Sequence, residues 1–268
     1  MESDLRARLI TAAIGIPLLV LLVGWGPSWA FVGIFLFFIV EALREYFAMA
    51  FPGRLKEQLW GILFGVSLSL VLLLPATPDR EAGMAFLFVL GFTAYLFMAG
   101  KLEERLNRLA WTLLGAVYVG YLLPHWVLLF HLPHGRAWVF FVLIVIMLGD
   151  TTAYLVGNRF GTKKLSPEIS PGKTVEGALG YLAGSVLGGL LTAKFLITEL
   201  AAAEVVMLAA VLSVLGQIGD LFESLIKRVF TVKDSGTFLP GHGGLLDRLD
   251  SLIFPAVFAT AYLRLFHS

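Results

Sequence analysis

The chain has 268 residues, of which 58% are hydrophobic and only 15% charged, with a mean hydropathy of +0.86. A soluble domain carries about 25% charged residues, so composition excludes an ordinary soluble globule and points to a polytopic membrane protein. The net charge of +1 leaves partners to be read from how the charges are distributed. The lack of cysteine excludes disulfides, thiolate catalysis and cysteine-ligated metals.

A helix crossing a bilayer needs about 20 mainly apolar residues. Nine such runs lie near 8–24, 29–51, 59–75, 82–99, 109–130, 137–158, 174–197, 203–219 and 251–266. Arg6 and Arg8 precede the first run, which in a chain with repeated spans reads as an uncleaved first helix rather than a signal peptide. The second run carries Glu41, Arg44 and Glu45 in its inner half, and an Arg44 pair with Glu41 or Glu45 is the structural reading of that charge. With an odd number of spans and the N-terminus inside, 16 of the 20 Lys and Arg collect on one side; only Arg80, Arg136, Lys194 and Arg264 fall on the other. By the positive-inside rule that side is cytoplasmic. The expected fold is therefore an all-α polytopic membrane protein of about nine transmembrane helices, N-terminus cytoplasmic and C-terminus outside. No tandem repeat and no stretch long enough for a soluble domain is present. Residues 1–268 read as one membrane domain, with N-terminal helices over 1–130 and a motif-bearing half over 137–268.

The sixth run contains Asp150. A carboxylate at mid-helix costs roughly 2.5–3.5 kcal/mol on insertion scales, so it normally faces a polar cavity or a partner; with Thr151, Thr152 and Tyr154 it reads as a cavity wall. The loop 159–173 is basic and ends in PGKT. The P-loop motif fails there, because it needs Gly where Pro167 stands and a preceding strand, which the sequence does not predict. Lys173 and Thr174, at a helix start, are instead placed to meet an anion. Gly177, Gly180, Gly184 and Gly188 form a small-residue stripe for close packing, within the bundle or across a dimer.

The eighth run ends at Asp220, and an amphipathic continuation puts Asp220, Ser224, Lys227 and Arg228 on one helical face. Beyond it lies SLIKRVFTVKDSGTFLPGHGGLLDRLD, residues 224–250, dense in charge and glycine. Lys227, Arg228, Lys233 and Arg248 suit phosphate; Asp234, Asp247 and Asp250 are hard oxygen ligands suited to Mg²⁺. Gly241, Gly243 and Gly244 permit backbone to approach a ligand. Asp247 and Asp250, three apart at the start of the last span, share a face; helix-start aspartates also arise from the macrodipole alone. His242 could bind phosphate, relay a proton or simply bond to its own turn. Cations, carboxylates and glycine together describe a nucleoside triphosphate and metal site.

Residues 224–250 resemble the signature of the phosphatidate cytidylyltransferases, or CDP-diacylglycerol synthases. The match comprises Ser224, Lys227, Arg228, Lys233, Asp234, Gly236, Pro240, His242, Gly243, Gly244, Asp247, Arg248 and Asp250. Upstream, Asp150, Tyr154, Gly157, Arg159, Gly161, Ser170, Pro171, Lys173, Thr174, Glu176 and Gly177 resemble the family's middle segment, whereas the first five runs match only as hydrophobic helices. The resemblance implies conversion of CTP and phosphatidic acid to CDP-diacylglycerol and pyrophosphate in a bacterial inner membrane, with the active site facing the cytoplasm. It implies Mg²⁺ on Asp220 and Asp247, with Asp250 close by, and a second, monovalent cation such as K⁺. The catalytic set it implies is Asp220, Lys227, Arg228, Asp247 and Asp250. The CTP- and phosphate-binding set is Lys173, Ser224, Lys233, His242, Gly243, Gly244 and Arg248. A homodimer in the lipid bilayer is also implied, and no nucleic-acid partner is expected. The rival readings are a CTP-dependent lipid-alcohol kinase, releasing CDP, and a transporter using Asp150 and Glu41 as coupling sites.

Overall fold

The structure is a computed structural model, and it describes residues 13, 15, 17–238 and 243–267. Residues 17–25 are helical. After them come α1 (Ser28–Ala50), α2 (Leu55–Leu73), α3 (Pro78–Leu96) and α4 (Leu102–Gly115), then a π-helical segment (Ala116–Tyr121) leading to α5 (His125–Phe130). The remaining elements are α6 (Gly135–Phe160), β1 (Lys164–Ser166), β2 (Ser170–Thr174), α7 (Val175–Leu196), α8 (Ala202–Val229) and α9 (Leu246–Phe266). Each of the nine apolar runs coincides with helix, although Arg6, Arg8 and the start of the first run lie outside the described residues.

Among the described residues, six helices are long and apolar enough to cross a membrane: α2, the continuous stretch Leu102–Phe130, α6, α7, α8 and α9. α1 and α3 are long enough but each carries three charges, Glu41, Arg44 and Glu45 in one, Asp79, Arg80 and Glu81 in the other. Those of α3 lie in its first turn, where Thr77 caps and Pro78 starts the helix. Those of α1 lie well inside it, and Glu41 and Glu45 are buried.

The bundle is not wholly helical. The loop expected at 159–173 contains a two-stranded antiparallel hairpin, Lys164 pairing with Thr174 and Ser166 with Ser170. The sequence hides it because the strands are short, polar and interrupted by Pro171, with none of the apolar alternation that marks a half-buried strand. Glu176 ties its base, accepting from the Thr162 hydroxyl at 2.5 Å and the Lys163 amide at 3.2 Å. PGKT therefore runs along a strand directly into a helix, with Thr174 capping α7 through the Gly177 amide.

The glycine stripe of α7 is used inside the bundle. Gly180 packs on Val156 and the Thr152 carbonyl, and Gly184 on Thr152 and the Leu148 carbonyl of α6. A side chain at 184 would stand 2.0 Å from the Thr152 hydroxyl oxygen, so only glycine lets the two helices approach; Thr152 then bridges them by donating to the Gly180 carbonyl at 2.8 Å. One face of α1 packs into the core. Its Phe31, Ile39, Leu43, Tyr46 and Phe47 are fully buried in one apolar cluster with Trp126, Phe141, Leu246 and Ile253, while Trp29, Phe37 and Val40 are exposed. This packing brings the inner end of α1 against the start of α9.

Candidate active site

α8 extends without a break to Val229, which carries Asp220, Glu223, Ser224 and Lys227 down one side toward α9. Gly219 sits against the Asp250 carbonyl, so the two helices meet there at backbone distance. Lys227 reaches across: its ammonium is 2.6 Å from Asp247 Oδ1 and also pairs with Glu223, a wholly buried carboxylate one helical turn earlier. The other oxygen of Asp247, Oδ2, accepts the Ser235 amide at 2.9 Å, the Ser235 hydroxyl at 3.0 Å and the Gly244 amide at 2.9 Å. Asp247 is thus held by the Lys227 ammonium, two amides and a Ser235 hydroxyl whose single hydrogen also faces Glu45. Gly243 takes a left-handed φ of 82°, which turns the chain into that arrangement.

Glu45 of α1 closes the network from the far side. It accepts the Leu245 amide at 3.0 Å, the Leu246 amide at 2.8 Å and the Ser235 hydroxyl at 3.1 Å. Arg44 pairs with Glu41 at 2.5 Å, which resolves the alternative left open by the sequence and leaves Glu45 to the signature stretch.

A second ion pair stands apart from the first. Lys173, from β2, lies 2.6 Å from Asp220 Oδ2, and Ser224 is 3.5 Å from Asp220 Oδ1. This pair lines a cavity of about 300 Å³ between α6, α7, α8 and the hairpin. Asp150, Tyr181, Gln217, Lys173 and Asp220 line it together with Ala153, Tyr154, Leu165 and Ala178. Tyr154 and Leu165 are exposed on the outside of the bundle. Asp150 is therefore a cavity residue, as its place in the span predicts. The Tyr181 hydroxyl is buried and lies within hydrogen-bonding reach of Asp150, although no bond of normal geometry joins them.

The remaining predicted residues divide by position. Asp250 is buried on α9, accepts the Ser251 amide at 2.6 Å and lies within electrostatic reach of Asp220 and Glu223. Arg228 is exposed and donates to the Ile169 carbonyl at 3.2 Å, which sets it, like Asp220, against the hairpin and fastens the hairpin tip to the end of α8. Lys233, Asp234 and Arg248 are exposed at the same end of the bundle. Pro240, Gly241 and His242 lie outside the described residues. Glu223, Ser235, Tyr181 and Gln217 belong to the site and are not singled out by the sequence. Glu223 had a signal, since it sits one turn before Lys227 on the face already marked by Asp220.

A model of the cytidylyltransferase family matches residues 6–266. The chain belongs to that family. Among its relatives, a phosphatidate cytidylyltransferase of Brucella abortus is 36% identical over 255 residues, 95% of this chain and 91% of the relative. One of Synechocystis is 35% identical over 278 residues, covering 93% of each chain. One of Bacillus subtilis is 43% identical over 157 residues, 57% of each. A cytidylyltransferase joins two phosphorylated substrates, and the site has the parts for that. Two lysines and an exposed basic rim can hold phosphate, and the carboxylates Asp150, Asp220, Glu223, Asp247 and Asp250 outnumber the lysines Lys173 and Lys227 among them. That excess of hard oxygen donors fits a divalent cation in kind. Among the described residues no three acidic or histidine side chains are grouped tightly enough to enclose one; Asp220 and Asp247 each face a lysine instead.

Proposed function

We propose that this enzyme transfers the cytidylyl group of CTP to phosphatidate, giving CDP-diacylglycerol and pyrophosphate for phospholipid synthesis. The observation that carries the reading is the cavity, which brings Lys173, Asp220 and Asp150 together with the apolar walls Ala153, Leu165 and Ala178. Such a mixed lining suits a molecule with acyl chains at one end and a phosphate at the other. The names of the relatives support the same substrates.

In the reaction a phosphate oxygen of phosphatidate attacks the α-phosphorus of CTP. The bond from that phosphorus to the bridging oxygen breaks, and pyrophosphate leaves with the electron pair. Two anions must meet, so the protein's task is chiefly to neutralise and position them. Lys173 would hold the lipid phosphate at the cavity, with Lys227 and its partner Asp247 at the CTP side. Arg228, Lys233 and Arg248, exposed at the rim, would receive the polyphosphate from water, and Ser224 and Asp250 would support Asp220. The lipid phosphate is already anionic at pH 7, so no general base is needed and His242 is given no such role. Asp220 and Asp247 would hold Mg²⁺, which when bound supplies charge neutralisation on the transferring and leaving phosphates, and K⁺ is a candidate second cation.

The distribution of Lys and Arg supports nine crossings with the N-terminus and the active site on the cytoplasmic side of a bacterial inner membrane. A homodimer is retained as part of the reading. The glycine stripe does not bear on it, because α6 covers that stripe.

The test is product analysis in detergent–phosphatidate micelles with labelled CTP and Mg²⁺, and Asp247→Asn as control. Labelled CDP-diacylglycerol and free pyrophosphate, both absent with the variant, are expected. CDP together with a phosphorylated lipid alcohol would move the chain to the kinase class, and no turnover with any lipid from folded protein would overturn the reading.

A further inference from the structure

The glycines of the signature stretch enclose a carboxylate of the protein itself. A Cβ on Gly236 would lie 2.4 Å from Glu45 Oε1, and one on Gly244 would lie 2.6 Å from Glu45 Oε2 and 2.0 Å from the Ser235 hydroxyl oxygen. Glu45 is 1% exposed. The amides it accepts, Leu245 and Leu246, open α9, where backbone donors have no acceptor within the helix and where negative charge is favoured. An anion seat of helix terminus and glycine turn is present, and it is filled from α1, two hundred residues upstream in the chain.

The filling bears on Asp247, the next residue along. Ser235 has one hydroxyl hydrogen and two carboxylate neighbours, Glu45 Oε2 at 3.1 Å and Asp247 Oδ2 at 3.0 Å. Moving Glu45 changes what that hydroxyl can hold, and shifts the Gly244 amide that also bonds Asp247. Asp247 in turn fixes Lys227.

We propose that Glu45 is a positioning residue for cytidylyl transfer, a carboxylate that occupies the anion seat at the start of α9 and thereby sets the place of Asp247. Substrate phosphates then bind on the opposite side of Asp247, toward Lys173 and the cavity, and the amide of Gly244 serves Asp247 instead of a phosphate. The inference rests on the reaction proposed above for its kinetic assay only.

Full-length protein in detergent is compared with Glu45→Gln, Glu45→Ala and, as control, Glu41→Gln on the same helix. An amide cannot accept at both oxygens' positions, so Glu45→Gln should lose roughly 100-fold in kcat, the cost of a misplacement remote from the chemistry, with little change in KM for either substrate. Glu45→Ala leaves the seat empty, and formate or acetate should restore part of its kcat while leaving Glu45→Gln unaffected. A residue that only supports folding would show neither the split nor the rescue. Hydrogen exchange gives a reading independent of turnover: the amides of Leu245 and Leu246 should exchange faster in Glu45→Gln, with the other helices unchanged. Wild-type kcat in Glu45→Gln, exchange identical to wild type, or exchange accelerated throughout the protein would each overturn the proposal. Absence of turnover in the wild type would sink the reaction instead, and the exchange at Leu245 and Leu246 would still decide the role of Glu45.

Discussion

Two lysine–aspartate pairs of the same length stand at the polar end of this bundle, and their surroundings differ. Lys227 and Asp247 are 12% and 10% exposed, and Asp247 is further held by two amides and a hydroxyl. Lys173 and Asp220 are 26% and 32% exposed, line a cavity and share only the distant hydroxyl of Ser224. In the first pair Oδ2 of the carboxylate is committed to the signature stretch, which it holds in shape, and only Oδ1, facing Lys227, keeps capacity for another ligand. The second can open at small cost, since a partly exposed pair contributes about 0–1 kcal/mol. A phosphate arriving in the cavity would offer Lys173 a better partner than it has. The same two residue types thus make a fixed frame in one place and a movable contact in the other.

Substituting the frame should give the largest effect. Asp247→Asn removes the charge that faces Lys227 and puts an amide where three N–H and O–H donors converge. A loss of kcat on the order of a thousandfold, about 4 kcal/mol at 1.36 kcal/mol per decade, is expected in the product assay. The melting temperature should fall as well, because unsatisfied buried donors cost about 1–3 kcal/mol. Near-normal turnover in a folded preparation would show that Asp247 is not part of the chemistry.

The movable pair should behave differently. Lys173→Gln removes a charge-assisted contact to phosphate, of about 1.5–3 kcal/mol, so kcat/KM should fall roughly 10- to 100-fold. Its melting temperature should stay at the wild-type value. A drop in thermal stability as large as that of Asp247→Asn would erase the distinction between the pairs. The double variant with Asp220→Asn sharpens it further. If the two residues act on one phosphate their effects should be non-additive, whereas additive losses would assign them to separate ligands.

Most of the bundle was legible because apolar runs of spanning length are an unambiguous signal. Within the described residues each of the nine runs coincides with helix, and the continuation of α8 past Asp220 follows from its periodic polarity. The hairpin at 164–174 was not legible, since polar strands this short carry no periodicity. In the site, Asp220, Lys227 and Asp247 could be named because motif residues are close in sequence, and Lys173 because it stands at a helix start after a basic loop. Glu45 could not be assigned, because its partners lie about two hundred positions away and a nearer cation, Arg44, offered a local explanation. Only the packing of α1 against the start of α9 separates those alternatives. Arg228, which helical spacing put on the face of Asp220, meets the same hairpin as Asp220 does, but at a backbone carbonyl that no sequence pattern marks.

The smallest expected effect concerns the cavity wall shared by neither pair. The Tyr181 hydroxyl is buried in reach of Asp150 but makes no hydrogen bond of normal geometry to it, an arrangement that costs free energy unless something in the cavity completes it. Tyr181→Phe removes only that oxygen. If a substrate atom completes the hydroxyl, the variant should raise KM for one substrate by roughly fivefold, about 1 kcal/mol for a neutral hydrogen bond, with kcat unchanged. The substrate whose KM moves identifies which molecule occupies the deep end of the cavity. Should neither KM move while the melting temperature rises, the hydroxyl is a buried cost that no substrate offsets, and the polar contacts of the cavity fall to the remaining lining, Lys173, Asp220, Asp150 and Gln217 among it.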